Sequence, residues 1–214
     1  VRNPVWNLSR HSAGMCLRFE TDSPNIYVRY KLYSERLSMT HMPATGVSGV
    51  DLYAEDGEGI SRWVNGVGAE DQKVDKTLAQ GLAPGSRRYT LYFPLYNGVD
   101  KMEIGVEKGN FFNPLHPRKE KPILFYGTSI MHGACASRPG ISFPAILGRR
   151  LGRPIINLGF DGNGIMEPEV ASLLAELDPC VFVIDCLPNM NEKSVSERTI
   201  PLVKKLRETN NKTP

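Results

Sequence analysis

The chain lacks a charge field of either sign. Lys and Arg number 26 against 23 Asp and Glu, a formal net charge of +3. That balance supplies no basic stripe for a nucleic-acid backbone and no pull toward an anionic membrane. Long apolar runs are missing as well: none approaches the ~20 residues that a membrane-spanning helix needs. Cysteine is sparse, and Cys16, Cys135, Cys180 and Cys186 show neither a metal-binding nor a redox spacing. Cys180 and Cys186 bracket one predicted strand and stand about 20 Å apart at ~3.3 Å per residue, too far to bridge. Redox compartment therefore has no signature in the cysteines. The four histidines, His11, His41, His116 and His132, are scattered and form no zinc motif. Val1 opens the sequence with no initiator Met and no leader pattern. No internal repeat is present. What remains is ordinary for a globular protein: 214 residues, 41% hydrophobic and 23% charged. At roughly 100 to 200 residues per domain, this is one large domain or two small ones.

The first half alternates with a period of two. Met15, Leu17 and Phe19 interleave with Cys16, Arg18 and Glu20; Ile26, Val28, Tyr30 and Leu32 interleave with Tyr27, Arg29, Lys31 and Tyr33. Such alternation marks half-buried strands. Similar runs cover residues 50–54, 60–64, 73–78, 88–93 and 102–106, with turn residues between them. Many short strands at this spacing predict an all-β sandwich of jelly-roll type over residues 1–109. Asn97-Gly98 is the strongest hairpin signal. Residues 38–48, with His41 and Pro43, form a loop that is long for this domain, either a surface connection or a wall of a site. Asp51 reads as a structural hydrogen-bond acceptor. Tyr53 and Trp63 read as buried sandwich aromatics or as stacking platforms for sugar. Prolines and a charge cluster at residues 110–121 mark a linker.

Residues 122–214 change pattern. The apolar run Ile123-Leu124-Phe125-Tyr126 ends at Gly127-Thr128-Ser129. A helix follows over residues 142–151, with Phe143, Ile146, Leu147 and Leu151 on one face. A second run, Ile155-Ile156, ends in Asn157-Leu158-Gly159. A helix starting at Pro168 carries the stripe Val170, Leu173, Leu174 and Leu177. A third run, Val181-Phe182-Val183-Ile184, ends Asp185-Cys186-Leu187-Pro188-Asn189-Met190. Ser194 and Glu197 suggest a capping box for the last helix, which Pro201 should kink. Strands alternating with amphipathic helices predict a parallel, flavodoxin-like sheet with helices on both faces. Three strand ends then bring Ser129, Gly159 and Asn189 to one sheet edge, where open α/β sheets bind ligands. Singly, each has a bland reading: Ser129 as a turn residue, Gly159 as a turn glycine, Asn189 as a loop cap.

Together, in this order, the three blocks resemble those of the SGNH (GDSL-like) hydrolases. In that family the Ser of a Gly-Asp-Ser block, a Gly of a second block and the Asn of a Gly-x-Asn-Asp block meet in one site. Here Thr128 stands for the usual Asp, Leu187 for Gly and Met190 for the last Asp. A subgroup carries a β-sandwich with a Gly-x-Asp-Leu-Tyr signature before the hydrolase blocks, and Gly49-Val50-Asp51-Leu52-Tyr53 matches it. The resemblance covers nearly the whole chain. It implies serine ester hydrolysis through an acyl-enzyme, with Ser129 as nucleophile and no metal or cofactor. Donors to the oxyanion would be the N–H groups of Ser129 and Gly159 and the Asn189 amide.

By analogy with the subgroup, the expected substrate is an acetylated glycan and the expected compartment periplasmic or extracellular. Two other classes stay open: a carbohydrate-binding protein without catalysis, and a lipase or thioesterase of the same family. The family's base is a His in an Asp-x-x-His block, and these 214 residues contain no such block. His41 and His132 are the available substitutes. The expectation is an α/β domain incomplete at its C-terminus, with the base and its partner beyond Pro214.

Overall fold

The computed structural model describes residues 1–214. In order the chain forms α1 (Asn3–Leu8), β1 (Cys16–Thr21), β2 (Ile26–Leu32), α2 (Ala44–Val47), β3 (Val50–Glu55), β4 (Ser61–Val67), β5 (Lys73–Ala79), β6 (Arg87–Tyr92), β7 (Val99–Val106) and β8 (Phe112–Pro114). There follow β9 (Ile123–Gly127), α3 (Ser129–His132), α4 (Phe143–Arg150), β10 (Ile155–Gly159), α5 (Pro168–Ala175), β11 (Val181–Asp185) and α6 (Glu192–Thr209). Two compact units result. One is Val1–Arg10, Lys119–Ala134 and Phe143–Pro214; the other is His11–Arg118 with Cys135–Ser142. Two segments thus depart from the boundaries expected from sequence. The N-terminal helix belongs to the α/β unit, and the stretch between α3 and α4 belongs to the β unit.

The β unit consists of two antiparallel sheets, ordered β4-β3-β6-β1-β8 and β5-β2-β7. Their inward residues share one core: Phe19, Val50, Leu52, Tyr89 and Leu91 from the first sheet, Ile26, Val28, Tyr30, Val74 and Leu78 from the second. Burial along β2 follows the period of two. Each such side chain removed from water contributes about 1.5–3 kcal/mol. The Asn97-Gly98 hairpin does not form, because β6 and β7 lie in different sheets. Asn97 is instead buried, and its amide ties the loop after β2: Nδ2 donates to Ser34 O at 2.9 Å, and Oδ1 accepts from Ser34 N at 2.9 Å. The predicted linker contains β8, whose Phe112 stacks on Phe19 at 5.1 Å.

The Gly-x-Asp-Leu-Tyr run has a physical role at every fixed position. A Cβ on Gly49 would overlap the carbonyl oxygens of Val67 and Thr45. Asp51 is 0% exposed and accepts from Trp63 Nε1 at 2.8 Å and Gly140 N at 2.9 Å, with Arg138 Nε at 3.3 Å. Leu52 fills the core, and Tyr53 meets Tyr92 edge-on at 5.6 Å. The Tyr53 ring also occupies the space a Cβ on Gly140 would need. Thr45 Oγ1 donates to Ser137 O at 2.5 Å. Asp51 and its neighbours therefore clip Cys135–Ser142 onto the sandwich. Trp63 is 51% exposed, and the Arg138 guanidinium lies 4.8 Å over its ring.

In the α/β unit the sheet order is β10-β9-β11, and both pairs are parallel. Every residue of the central strand β9 is buried. Leu124 and Tyr126 point to one face, packed with Val170, Leu174, Leu202, Leu206 and Val5. Ile123 and Phe125 point to the other, with Met131 and Leu147. The helical stripes are narrower than the sequence suggests. Leu173 is 54% exposed, and α5 buries Val170, Ala171, Leu174 and Ala175 instead. In α4, Phe143 is partly exposed with its ring edge-on to Phe125 at 5.7 Å, and Leu151, just past the helix, turns outward; Pro144, Ala145 and Gly148 are buried, and small residues let that helix approach closely. The last helix is capped three residues earlier than expected, by a reciprocal Asn191–Ser194 box. On the outer edge of β11, Phe182 N donates to Pro214 O at 2.9 Å. A cavity of about 110 Å³ beside it is lined by Phe182, Ile184, Val203 and Leu206. No helix is long and apolar enough to cross a membrane.

Candidate active site

The pairing register brings Gly127, Gly159 and Asp185 level at the carboxyl ends of their strands. Beyond that level the chain turns into helix in one step. Thr128 is extended at φ −86° and caps α3, its Oγ1 accepting from Ile130 N at 3.3 Å. Ser129 is thus the first residue of a helix, where backbone N–H groups have no intrahelical partner. Its side chain is half-buried, whereas Thr128 beneath it is buried. The same Thr128 hydroxyl donates to Asp185 Oδ2 at 2.7 Å. One small hydroxyl thereby both starts the helix and locks the end of β9 to the end of β11. An Asp at position 128, the residue the family pattern favours, would set a second carboxylate against Asp185. The Thr departure and the Asp185 carboxylate fit one another.

Gly159 lies at the end of β10. A Cβ there would overlap the His132 amide, so a glycine is required for β10 to close on α3. The Gly159 N–H is engaged by Asn157 Oδ1 at 2.9 Å. As folded, that N–H is tied back to its own strand. Asn157 Nδ2 donates to Met131 O at 2.7 Å, so this one side chain joins β10 to α3. The sequence reading missed it. Its only trace was a polar residue inside an otherwise apolar run.

The loop from Phe160 to Glu167 passes close over the end of β9. Phe160 N donates to Gly127 O at 2.8 Å, and a Cβ on Gly164 would overlap that same carbonyl. Gly162 is exposed at φ +64°. Asn189 stands in a short 3-10 turn after β11, half-buried, its Nδ2 donating to Gly164 O at 3.4 Å. An amide nitrogen has two hydrogens, so one remains for another acceptor. Ser129 and Asn189 are thus both presented on turns at one edge of the sheet. Of the substitute bases, His132 is buried one turn past Ser129, and His41 is exposed on the sandwich unit. No group of three or more His, Cys, Asp or Glu is arranged to hold a metal ion. All four cysteines are free thiols.

Comparison with known proteins gives this arrangement a family. The family model for the N-terminus of SGNH-hydrolase-type esterases, GxDLY, matches residues 1–112. The model of the GDSL-like lipase/acylhydrolase family matches residues 120–214. A Bacteroides ovatus protein described as a GDSL-like lipase is 33% identical, with a TM-score of 0.95 over 100% of this chain and 63% of its own. The chain belongs to the GDSL-like (SGNH) hydrolases that carry a GxDLY-type N-terminal domain. More distant structures share the fold. The salicylyl-acyltransferase of a tetracycline biosynthetic pathway is 19% identical, with a TM-score of 0.80 over 100% of this chain and 60% of its own. A family two carbohydrate esterase from Clostridium thermocellum is 14% identical, with a TM-score of 0.65 over 93% and 69%. No functionally curated protein matches the sequence. The chain spans less than two thirds of the length of the Bacteroides ovatus protein.

Proposed function

We propose that the protein is a serine ester hydrolase in which Ser129 attacks the ester carbonyl and expels the alcohol to form an acyl-enzyme, which water then hydrolyses to free the acid and Ser129. The observation that carries this reading is the placement of Ser129. It is half-exposed at the first position of α3, directly past the central strand, at the sheet edge that also presents Asn189. Charge develops on the carbonyl oxygen as the tetrahedral intermediate forms, and pre-set donors lower that barrier. The Ser129 N–H and the second hydrogen of the Asn189 amide are the donors assigned. The third donor that the family pattern assigns is the N–H of Gly159, which as folded is held by Asn157. In this assignment Gly159 also serves by letting β10 approach α3.

Acyl transfer by serine needs a base within hydrogen-bond reach, itself oriented by a third group. We assign that base outside these 214 residues, in the share of the relatives' length that the chain does not cover. The sheet would then continue past β11 in the flavodoxin-like manner, following in chain order a sandwich of jelly-roll connectivity. Among substrates we favour an acetylated glycan, met in the periplasm or outside the cell. The support is the carbohydrate-esterase fold relatives and the half-exposed Trp63 of the sandwich. The acyltransferase relative supports a second reading, transfer of the acyl group to an alcohol instead of water.

The test is covalent labelling of the full-length protein with a fluorophosphonate, followed by mapping of the adduct. Modification at Ser129, abolished in Ser129→Ala together with p-nitrophenyl acetate turnover, is expected. An active preparation labelled at another serine would remove the assignment.

A further inference from the structure

We infer that Arg2 is a positioning residue for the ester site, acting through residues 161–167; the inference rests on the reading of Ser129 and Asn189 above. Arg2 directly precedes α1, and α1 is fixed to the α/β unit by Val5, 2% exposed in the core beside Leu8. The guanidinium spreads its donors over both ends of the loop. Nε pairs with Glu167 Oε1, Nη1 donates to Asn163 Oδ1 at 3.2 Å, and Nη2 to Asn163 O at 3.3 Å. A planar fork with fixed donor directions suits such divided work; an ammonium does not.

Glu167 is 6% exposed, and its second oxygen is buried with no hydrogen-bond partner. Arg2 is therefore what compensates this carboxylate. A buried carboxylate deprived of its partner turns toward water, because an unpaired charge is costly to keep inside. Glu167 is the residue before α5, so its movement moves the loop. Gly164 N also donates to Phe160 O at 2.8 Å, and further ties of the loop include Met166 N to Tyr126 Oη at 3.0 Å, Arg198 Nη1 to Ile165 O at 3.0 Å, and Asn189 Nδ2 to Gly164 O at 3.4 Å. The last tie is the route to the chemistry. The Gly164 carbonyl sets the rotation of the Asn189 amide, and Arg2 sets the loop that carries Gly164. An oxyanion donor displaced by an ångström loses most of its effect, and misplacement on that scale lowers turnover by up to about 10².

The experiment compares the full-length protein with its Arg2→Ala and Arg2→Lys variants by hydrogen exchange over residues 161–167 and by p-nitrophenyl acetate kinetics. Arg2→Ala is expected to raise exchange there by about tenfold. It should lower kcat by about tenfold with KM within about twofold, a selective loss of interactions made in the transition state. Added guanidinium ion should restore part of kcat in Arg2→Ala, and Arg2→Lys should recover little. Unchanged exchange over residues 161–167, or loosened exchange with full kcat, overturns the inference. If the parent turns over substrate without Ser129, the site reading fails instead, and the exchange data still decide whether Arg2 holds the loop.

Discussion

Asp51 is where the sandwich is most exposed to a single change. Its carboxylate is fully buried and takes two N–H donors and a guanidinium, from β4 and from the Cys135–Ser142 segment. Replacing it by Ala leaves Trp63 Nε1 and Gly140 N without their acceptor and Arg138 without its counter-ion. A hydrogen bond to a charged group contributes about 1.5–3 kcal/mol. Breaking a buried pair by removing one partner costs about 3–5 kcal/mol. The Arg138 side chain is 29% exposed and can turn to water, which places Asp51→Ala at the lower end, about 3 kcal/mol. Asp51→Asn keeps one acceptor oxygen and sets an amide against a donor, for a loss of about 1.5–3 kcal/mol. Urea unfolding followed by tryptophan emission reads this directly. The chain has two tryptophans, so a Trp6→Phe background leaves Trp63 as the reporter of the sandwich unit. Asp51→Ala in that background should shift the midpoint to lower urea and move the native Trp63 emission, since the indole N–H loses its partner. A midpoint equivalent to less than about 1 kcal/mol would refute the argument that this carboxylate holds the segment.

Other changes have equally direct readouts. Thr128→Val removes the hydroxyl that both caps α3 and holds Asp185, so unfolding free energy should fall by about 1–3 kcal/mol and fluorophosphonate labelling should slow; Thr128→Ser, which keeps the hydroxyl, should behave as the parent. Gly164→Ala, which drives a Cβ into the Gly127 carbonyl, should give little soluble protein, whereas Gly57→Ala, with open space around it, should be neutral in thermal unfolding. Burial, with the Asp185 and Glu167 charges adding to it, pushes the Cys186 thiol up to about 12. The unfolded thiol ionises near its ordinary value while the folded one stays neutral, so the unfolded state binds fewer protons and stability falls as pH rises from about 9 toward 12. Cys186→Ala should flatten that decline in urea titrations, and a thiol reagent at pH 8 should modify exposed Cys135 but not Cys186 in the native protein.

How much of this was readable in the sequence differs by element. The strands of the sandwich were visible because burial on a half-exposed sheet imposes a period of two, as along β2. The pairing was not visible. Asn97-Gly98 has the composition of a hairpin turn, but buried residues on both sides drew β6 and β7 into opposite sheets, and Asn97 was recruited to hold the loop at Ser34. In the α/β unit the three strand ends were legible. The helical stripes were misread at Leu173 and Leu151, which are large and apolar yet turn outward. Close helix–strand packing selects small residues, Gly148 and Ala171, and an apolarity count undervalues them. The membership of Val1–Arg10 in the α/β unit rests on buried Val5, half-buried Leu8 and Arg2, too little pattern to detect.

The site shows why motif departures should be judged in space. Along the chain, Thr128 is a lost carboxylate and Asp185 a loop-start acid, two unrelated oddities separated by two helices, a strand and another helix. In the fold they are a single hydrogen bond of 2.7 Å across adjacent strand ends. The carboxylate has not vanished from the edge of the sheet; it stands on β11 instead of β9, and the residue facing it has become a donor. Two carboxylates at that separation would raise the proton affinity of one of them and cost the sheet edge its rigidity. Thr128→Asp alone should therefore loosen the turn before Ser129, and pairing it with Asp185→Thr should restore it. Urea midpoints and fluorophosphonate labelling rates for the two single variants and the double variant form a closed cycle. A double variant no better than the worse single one would mean that the two positions are independent, and that Thr128 is tolerated at the edge rather than matched to it.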